Sequence, residues 1–452
     1  MLKFQEIRFL VTSILVIIVT LLLGNNIVKE YFWFLCSLIL VNCNMLLVSR
    51  KHIFSFFLPI PLIINYITLS LLLGSISFFN SVVGVQKDLE NYVIWSNFHI
   101  ASSIYFSIIS VFAFSGQINF KKYSTFNPKK INLSDILIIA PWFLFFAIPL
   151  NLDFFGGDGD LAITVKSTLA IFLILFVQKY QSRVIRIFAY SVIILFFATF
   201  SMEEKREAIF LVLPCMLLEY RRSMKGISYQ LVRNNVVIGF ILVLLILAMS
   251  IGRGYGGFES DLNLFESFGY VSEYVKDPFF LAYFLNNIEV NYMFFHAFNS
   301  MEMVIKDTSL MSYGSTLIKP LFIPFPRELF PLKPKSIIDL YTTLYSPEFR
   351  SEGGSWVIPF FSELFWNFGY FVLVPTYIFG RIMKKYSYLL LKYLSSGNDG
   401  LKLLFFLYTY TMLFTFVRGS GLDQFIIYLL ISLILVVYWK LVRTILLEIG
   451  AK

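Results

Sequence analysis

Long apolar runs separated by short polar segments dominate the hydrophobic pattern of this chain. Most of these runs approach the ~20 residues that a helix needs to cross the ~30 Å hydrocarbon core of a bilayer. Only helices and closed barrels satisfy all their backbone hydrogen bonds in that environment. The alternation of apolar and polar residues that is typical of barrel strands is absent. The pattern therefore predicts an all-α polytopic membrane protein with about twelve transmembrane helices.

The predicted spans have uneven lengths, and the seventh and eighth are short enough to be tilted, kinked or partly re-entrant. In chain order they are Phe9–Leu23, Tyr31–Val48, Phe54–Phe79, Tyr92–Phe114, Ile136–Leu150, Leu161–Val177, Ile187–Phe200, Ala208–Glu219, Val236–Ile251, Trp356–Gly380, Leu401–Val417 and Phe425–Tyr438. Lys3 and Arg8 precede the first span as in a signal peptide, but no small-residue cleavage site follows them. We therefore expect this span to remain as an anchor.

One segment between the ninth and tenth spans, 252–355, is much longer than any other predicted external loop. It includes an aromatic stretch around Phe294 and Phe298 whose spacing favours a helix, so the segment should fold onto the membrane surface or dip into it. Several prolines then exclude regular helix: Pro320, Pro324, Pro326, Pro331 and Pro334. The predicted organisation is 1–251 with nine spans, 252–355 as an extracytoplasmic subdomain with short helices, and 356–452 with three spans.

Lysine and arginine accumulate in every second loop, which predicts the orientation because short basic segments stay on the cytoplasmic side during insertion. The basic positions of these loops include Arg50, Lys51, Lys121, Lys122, Lys129, Lys130, Lys179, Arg183, Arg186, Arg221, Arg222, Lys225, Arg233, Arg381, Lys384, Lys385, Lys440 and Arg443. This pattern predicts a multi-pass protein of a bacterial inner (cytoplasmic) membrane with both termini in the cytoplasm. The net charge of +9 is then a topology signal and needs no nucleic acid to explain it.

Composition excludes a soluble globular protein, because 58% of residues are hydrophobic and only 14% are charged, against roughly 25% charge in water-soluble domains. The three cysteines, Cys36, Cys43 and Cys215, fall inside predicted spans, where a thiol behaves as a small hydrophobe. No cluster of His or Cys has metal-ligand spacing, and no glycine pattern typical of nucleotide binding occurs. We predict no disulfide, no metal site and no cofactor.

Four arginines near the predicted outer face are candidates for substrate binding: Arg206, Arg253, Arg327 and Arg418. Cations at membrane depth are costly and usually need an anionic partner. A guanidinium offers a planar set of donors that matches phosphate oxygens, so a cluster of arginines at the boundary would suit a lipid diphosphate. The structural alternative is that each arginine lies at the end of a span and reaches toward water, with Arg418 paired to Asp423.

Part of the long segment resembles the external-loop signature of the O-antigen polymerases, the Wzy-type oligosaccharide repeat-unit polymerases. The resemblance begins with Tyr313-Gly314 and continues through Ile-Pro-Phe-Pro-Arg-Glu-Leu-Phe-Pro at 323–331 and Lys333-Pro334. The sequence Pro-Phe-Phe-Ser-Glu-Leu-Phe-Trp-Asn-Phe-Gly at 359–369 is similar to the start of a helix in that family, with an acidic residue and an Asn-Phe-Gly turn.

Further positions between 201 and 430 fit the same family. Arg206 lies where the family has an arginine that begins a mid-chain span, although its neighbours here are glutamates and a lysine. Arg253 matches a basic residue before Tyr-Gly, and Arg418 with Asp423 resembles an Arg-x-x-x-x-Asp element before the final helix. The resemblance implies a GT-C-like membrane glycosyltransferase architecture.

The resemblance also implies the reaction and its partners. The reaction is transfer of a growing glycan from polyprenyl diphosphate to a fresh lipid-linked repeat unit at the outer face, giving a surface polysaccharide such as O-antigen. Arginines would stabilise the negative charge that develops on the departing diphosphate, without a metal ion. The implied partners are polyprenyl-diphosphate-linked oligosaccharides and membrane lipids, with a chain-length regulator protein as a further candidate.

The acceptor hydroxyl must lose a proton, and Glu363, Asp423 and His296 are the candidate bases on the predicted outer face. We favour Glu363, because Asp423 can be occupied by Arg418. The structural alternative for Glu363 is a carboxylate that faces the N-terminal dipole of its helix.

Two other function classes fit parts of the pattern. A flippase or other transporter of lipid-linked oligosaccharides would have a similar number of helices, but it predicts internal repeats, which we do not find. An O-antigen ligase or a polyprenyl-phosphate-sugar enzyme would share the long loop and the arginines. Ligases usually have a His-containing loop motif, which is absent around His296.

Overall fold

A computed structural model of the protein describes residues 4–79, 95–118, 170–200, 210–223, 229–252, 254, 262–278, 280–288, 290–322, 330, 333–396, 400–419 and 421–448. These residues are mostly helical, and no strand occurs among them. The prediction of an all-α chain is confirmed for this part of the protein.

The α-helices are labelled in chain order. The first half has α1 (Phe4–Leu47), α2 (Pro59–Phe79), α3 (Phe98–Ser115), α4 (Arg183–Phe200), α5 (Val212–Ser223) and α6 (Tyr229–Ile251). The long segment has α7 (Leu264–Lys276), α8 (Phe280–Asn287), α9 (Val290–Lys306), α10 (Ser315–Ile318), α11 (Ile337–Tyr345) and α12 (Pro347–Ser351). The last part has α13 (Phe360–Phe368), α14 (Leu373–Ser396), α15 (Gly400–Arg418) and α16 (Gly421–Glu448).

Three helices among the described residues, α1, α2 and α3, are long and apolar enough to cross a membrane. Helices α1 and α2 also expose large hydrophobic side chains such as Leu22, Phe34 and Leu73, as expected of helices that face lipid. These helices support membrane association.

Helix α1 is sharply broken at Gly24, whose φ of 68° and ψ of −175° are accessible almost only to glycine. The Asn42 side-chain amide donates to the Phe9 carbonyl at 3.1 Å and to Ser13 Oγ at 3.0 Å. A straight helix would separate residues 9 and 42 by roughly 50 Å, so the two halves fold back on each other. They correspond to the predicted spans Phe9–Leu23 and Tyr31–Val48.

Helix α9, in the middle of the long segment, packs against α2 and α3. A Cβ atom at Gly74 of α2 would lie 2.5 Å from both Phe294 Cβ and the Val290 carbonyl oxygen, so only glycine permits this crossing. At the other end of α9, Glu302 accepts hydrogen bonds from Ser96 Oγ at 2.9 Å and from the Asn97 backbone N–H at 3.1 Å. The long segment therefore packs into the helix bundle.

The predicted tenth span, Trp356–Gly380, is wrong as one uninterrupted helix. Helix α13 ends at Phe368, Gly369 follows with φ of 52°, and a 3-10 turn leads into α14. The rings of Phe360 and Phe379 lie 4.6 Å apart, so the chain doubles back between them. With nine residues, α13 is roughly 14 Å long, about half the thickness of the hydrocarbon core.

Candidate functional site

Four elements that the sequence separates meet around the first turn of α13. Helix α13 packs against α9, the end of α15 and the helix α16, and α16 also contacts α10. Phe360 of α13 and Phe416 of α15 have ring centroids 4.3 Å apart. A Cβ atom at Gly419 would overlap the Ile358 carbonyl, so the chain can leave α15 this close to α13 only with glycine there. This junction brings two of the predicted site residues, Glu363 and Arg418, into one region.

Glu363 lies in the first turn of α13 and is 1% exposed. Its Oε1 lies 3.3 Å from the hydroxyl of Thr316 in α10. Asn367, one turn further along α13, donates through Nδ2 to Thr316 Oγ1 at 2.8 Å and to the Glu363 carbonyl at 3.0 Å. All three side chains are buried, so hydrogen bonds take the place of the water that the carboxylate lost.

Arg418 is the last residue of α15 and is buried. A buried guanidinium keeps its charge, and its position at the C-terminus of α15 is favourable for a cation because of the helix dipole. Asp423 lies near the start of α16, but its side chain is outside the described residues. The predicted pairing of Arg418 with Asp423 therefore stays a prediction.

His296 lies on α9 and is enclosed by aromatic rings. Its Nδ1 lies 2.7 Å from the Tyr341 hydroxyl, and the Trp356 ring centroid is 4.7 Å from its own. Burial lowers the pKa of His296 from 6.5 to about 3, so the ring is neutral at physiological pH. Its neighbour Ala297 accepts a hydrogen bond from Ser362 Oγ at 3.1 Å, which fixes α9 against α13. His296 thus takes part in the packing of the long segment, and its role as a candidate base stays a prediction.

The other three arginines of the predicted cluster, Arg206, Arg253 and Arg327, lie outside the described residues. The nearest described neighbour of the first, Phe210, stacks on Phe414 of α15 with centroids 4.9 Å apart. The predicted convergence of the four arginines stays a prediction.

Sequence reasoning missed Thr316 and the role of Asn367. Asn367 belongs to the Asn-Phe-Gly stretch that carries the family resemblance, which was the available signal. Thr316 had none, because a single threonine beside a proline-rich stretch has no periodicity or spacing that relates it to a carboxylate 47 residues later.

The junction presents a carboxylate with a hydroxyl and an amide arranged around it, and a guanidinium on an adjoining helix. This set can accept a proton and can bind an anion. Among the described residues, no group of three His, Cys, Asp or Glu side chains could hold a metal ion. Compared with known protein families, characterised proteins and solved structures, the chain shows no match.

Proposed function

We propose that this protein is a membrane glycosyltransferase that joins polyprenyl-diphosphate-linked oligosaccharide repeat units into a surface polysaccharide such as O-antigen. The proposal includes about twelve spans in a GT-C-like architecture, a bacterial inner membrane location, and both termini in the cytoplasm. It is supported by the resemblance to O-antigen polymerases between 201 and 430 and by the junction of α10, α13, α15 and α16.

The observation that carries the proposal is that Glu363 and Arg418, 55 positions apart, lie on two helices in direct contact, with Phe360 against Phe416 and Gly419 against Ile358. Both residues belong to motif stretches on which the resemblance rests. A carboxylate buried in the first turn of α13 and a guanidinium buried at the end of α15 are expensive to maintain, and this cost supports a chemical role for both.

The chemistry divides between the two side chains. Glu363 takes the proton of the acceptor hydroxyl, whose oxygen forms the new bond to the anomeric carbon of the donor glycan. The bond between that carbon and the diphosphate oxygen breaks, and the guanidinium of Arg418 stabilises the charge left on the diphosphate. Arg206, Arg253 and Arg327 are proposed to bind the same diphosphate, and Asp423 to orient Arg418.

The decisive experiment for the function is the surface glycan of a deletion strain. A polymerase mutant should attach a single repeat unit to its lipid carrier or core and lack longer chains. Complete absence of repeat units at the surface would indicate a flippase or a ligase instead and would reject the proposal.

The residue roles are tested with purified protein and lipid-linked repeat units. Glu363→Gln should leave substrate binding nearly intact and lower turnover by about 100-fold or more, the usual contribution of a general base. Arg418→Ala should reduce both affinity and turnover, and Arg418→Lys should recover only part, because one ammonium cannot reproduce the paired donors of a guanidinium.

Two control variants come from the short helix α12. Glu348→Gln changes an exposed carboxylate, and Arg350→Ala removes a guanidinium that pairs with Asp339 away from the junction. Both should retain polymer length and amount. Normal polymer from well-folded Glu363 and Arg418 variants would remove these residues from the mechanism.

A further inference from the structure

The turn that carries Thr316 to Glu363 has an unusual backbone. Tyr313 has φ of +45°, the only positive φ of a non-glycine residue among the described residues, and Gly314 follows with φ of +82°. The left-handed region costs a tyrosine about 1 kcal/mol or more. A residue keeps such a conformation only where its surroundings impose it, and such sites concentrate at functional positions.

The surroundings that impose this conformation are visible on both sides of the turn. The Ser312 N–H donates to the Trp366 carbonyl of α13 at 3.1 Å, and the Ser315 N–H donates to the Ser312 carbonyl at 2.8 Å. Gly369, directly after α13, lies so close to Met311 that a Cβ atom there would be 2.5 Å from the methionine sulfur. The turn at 312–316 is therefore fastened to the C-terminal end of α13, and Thr316 reaches from it to Glu363 in the first turn of that helix.

The hydrogen bonds within the pocket have a preferred direction. Asn367 uses its two amide protons on the Glu363 carbonyl and on Thr316 Oγ1. The single proton of the Thr316 hydroxyl then has two acceptors within reach, Glu363 Oε1 at 3.3 Å and Asn367 Oδ1 at 3.1 Å. A carboxylate is the stronger acceptor because the bond is charge-assisted, so the hydroxyl is best used on Glu363.

The same arrangement closes the pocket. Glu363 is 1% exposed and Thr316 is 2% exposed, whereas Tyr313, three residues earlier, is 75% exposed. A carboxylate this deeply buried meets an outside molecule only after a covering element moves. The turn is the strained element over the pocket, because the free energy of Tyr313 falls when it leaves the left-handed region.

We propose that the turn 312–316 is a strained cover of the pocket, which opens to admit the acceptor and closes over it, and that Thr316 is a positioning residue, which holds the Glu363 carboxylate whenever the cover is closed. The positioning role rests on the proposed function, in which Glu363 accepts the proton of a sugar hydroxyl. The opening of the cover does not, and it is measured separately.

Opening is measured by the rate at which dicyclohexylcarbodiimide, an apolar reagent for carboxylic acids, labels Glu363 in the full-length protein, as read by mass spectrometry of peptides. Glu302 serves as internal reference, because it is also buried but is bonded to Ser96 and Asn97 on the α2–α3 side. A change in Glu363 labelling with constant Glu302 labelling reports a change confined to the Glu363 pocket. The reagent reacts with the protonated carboxyl group, so the Tyr313 variants, which keep the Thr316 hydroxyl, report the cover alone.

Two pairs of variants give opposite expectations. Thr316→Val, which removes the hydroxyl, should speed Glu363 labelling about tenfold, while Thr316→Ser should stay near the wild type. Tyr313→Gly removes both the ring and the strain, whereas Tyr313→Ala removes the ring and keeps the strain. Labelling should therefore be about fivefold slower in Tyr313→Gly than in Tyr313→Ala, the equivalent of about 1 kcal/mol.

Equal labelling of the two Tyr313 variants, or wild-type labelling of Thr316→Val, would overturn the proposal. If Glu302 labelling also rises in Thr316→Val, the whole protein is destabilised in that variant. The comparison of Tyr313→Gly with Tyr313→Ala then tests the proposal. In turnover assays Thr316→Val should lower kcat about tenfold with little change in KM and should displace the acid limb of the pH profile, and Thr316→Ser should restore both. Normal turnover by Glu363→Gln would refute the proposed function while leaving the labelling result intact.

Discussion

Replacement of Gly74 by alanine tests how closely the long segment is packed into the helix bundle. The added Cβ atom would lie 2.5 Å from Phe294 Cβ and from the Val290 carbonyl oxygen, where carbon atoms normally approach to about 3.5 Å. Both neighbours belong to the body of α9, which cannot yield by a side-chain rotation alone. Helix α9 must therefore move away from α2 by about 1 Å.

The magnitude follows from three contributions. Overpacking of a close helix crossing costs about 1–3 kcal/mol. A movement of this size would also displace the Ala297 carbonyl from its 3.1 Å hydrogen bond with Ser362, a loss of about 1 kcal/mol. Alanine gains about 1 kcal/mol over glycine inside a helix. The net effect is a destabilisation of about 1–3 kcal/mol.

The measurement is thermal unfolding in a mild detergent, followed by the loss of monodisperse protein on heating. Gly239→Ala is the matched control, because nothing lies within 4 Å of a Cβ atom at that position of α6. The control should be as stable as the wild type or slightly more stable. If the Gly74→Ala and Gly239→Ala proteins unfold at the same temperature, the claim that α9 and α2 are in close contact is refuted.

Other measurements test separate parts of the description. Glu302→Gln should lower stability by about 1–3 kcal/mol because a buried carboxylate loses its charge-assisted bonds, whereas Lys306→Met should have little effect, since Lys306 is 51% exposed. Burial lowers the pKa of His296 to about 3 in the folded protein, so the unfolded chain takes up this proton first as the pH falls below 6.5. The folded state should therefore lose stability, by at most about 1.4 kcal/mol per pH unit. Thermal unfolding between pH 7 and pH 4 should show this loss in the wild type and not in His296→Gln. Polymerisation should persist in excess chelator, and rescue of chelator-inhibited protein by magnesium or manganese would reject leaving-group stabilisation by arginine alone. Reporter fusions should place 121–130 in the cytoplasm and Lys335 outside, and a cytoplasmic signal from Lys335 would overturn the assignment of the site to the outer face.

Hydropathy was sufficient to locate α1, α2 and α3 but not the places where the chain folds back. The first two predicted spans correspond to the two halves of α1, because the polar residues around Gly24 interrupt the apolar pattern. The predicted tenth span was wrong because α13 and the first part of α14, 373–380, are both apolar, so a hydropathy window averages across Gly369. The Asn-Phe-Gly turn noted at this point was the better guide, since it marks a change of direction and not of polarity.

The candidate site was predictable only where a residue type carried information by itself. Glu363 and Arg418 stood out because ionised groups are rare in apolar segments. His296 stood out for the same reason, yet its setting depends on Tyr341 and Trp356, which come from other elements and have no sequence relation to it. To predict the cover formed by 312–316, one would need to foresee a left-handed tyrosine and a contact between residues 47 positions apart. Neither is a property of local sequence.

The hairpin of α1 also bears on how the protein is made. Its two halves contact each other through Asn42, Phe9 and Ser13, so it is complete once the first 47 residues have left the ribosome. Chains fold from the N-terminus during synthesis, and this unit can settle in the bilayer before the α9 and α13 regions are translated. A side chain larger than hydrogen at Gly24 would strain the reversal by about 1–3 kcal/mol, because its backbone conformation is accessible almost only to glycine. Its effect should therefore appear as poor biogenesis and low yield, with normal specific activity in the molecules that do mature.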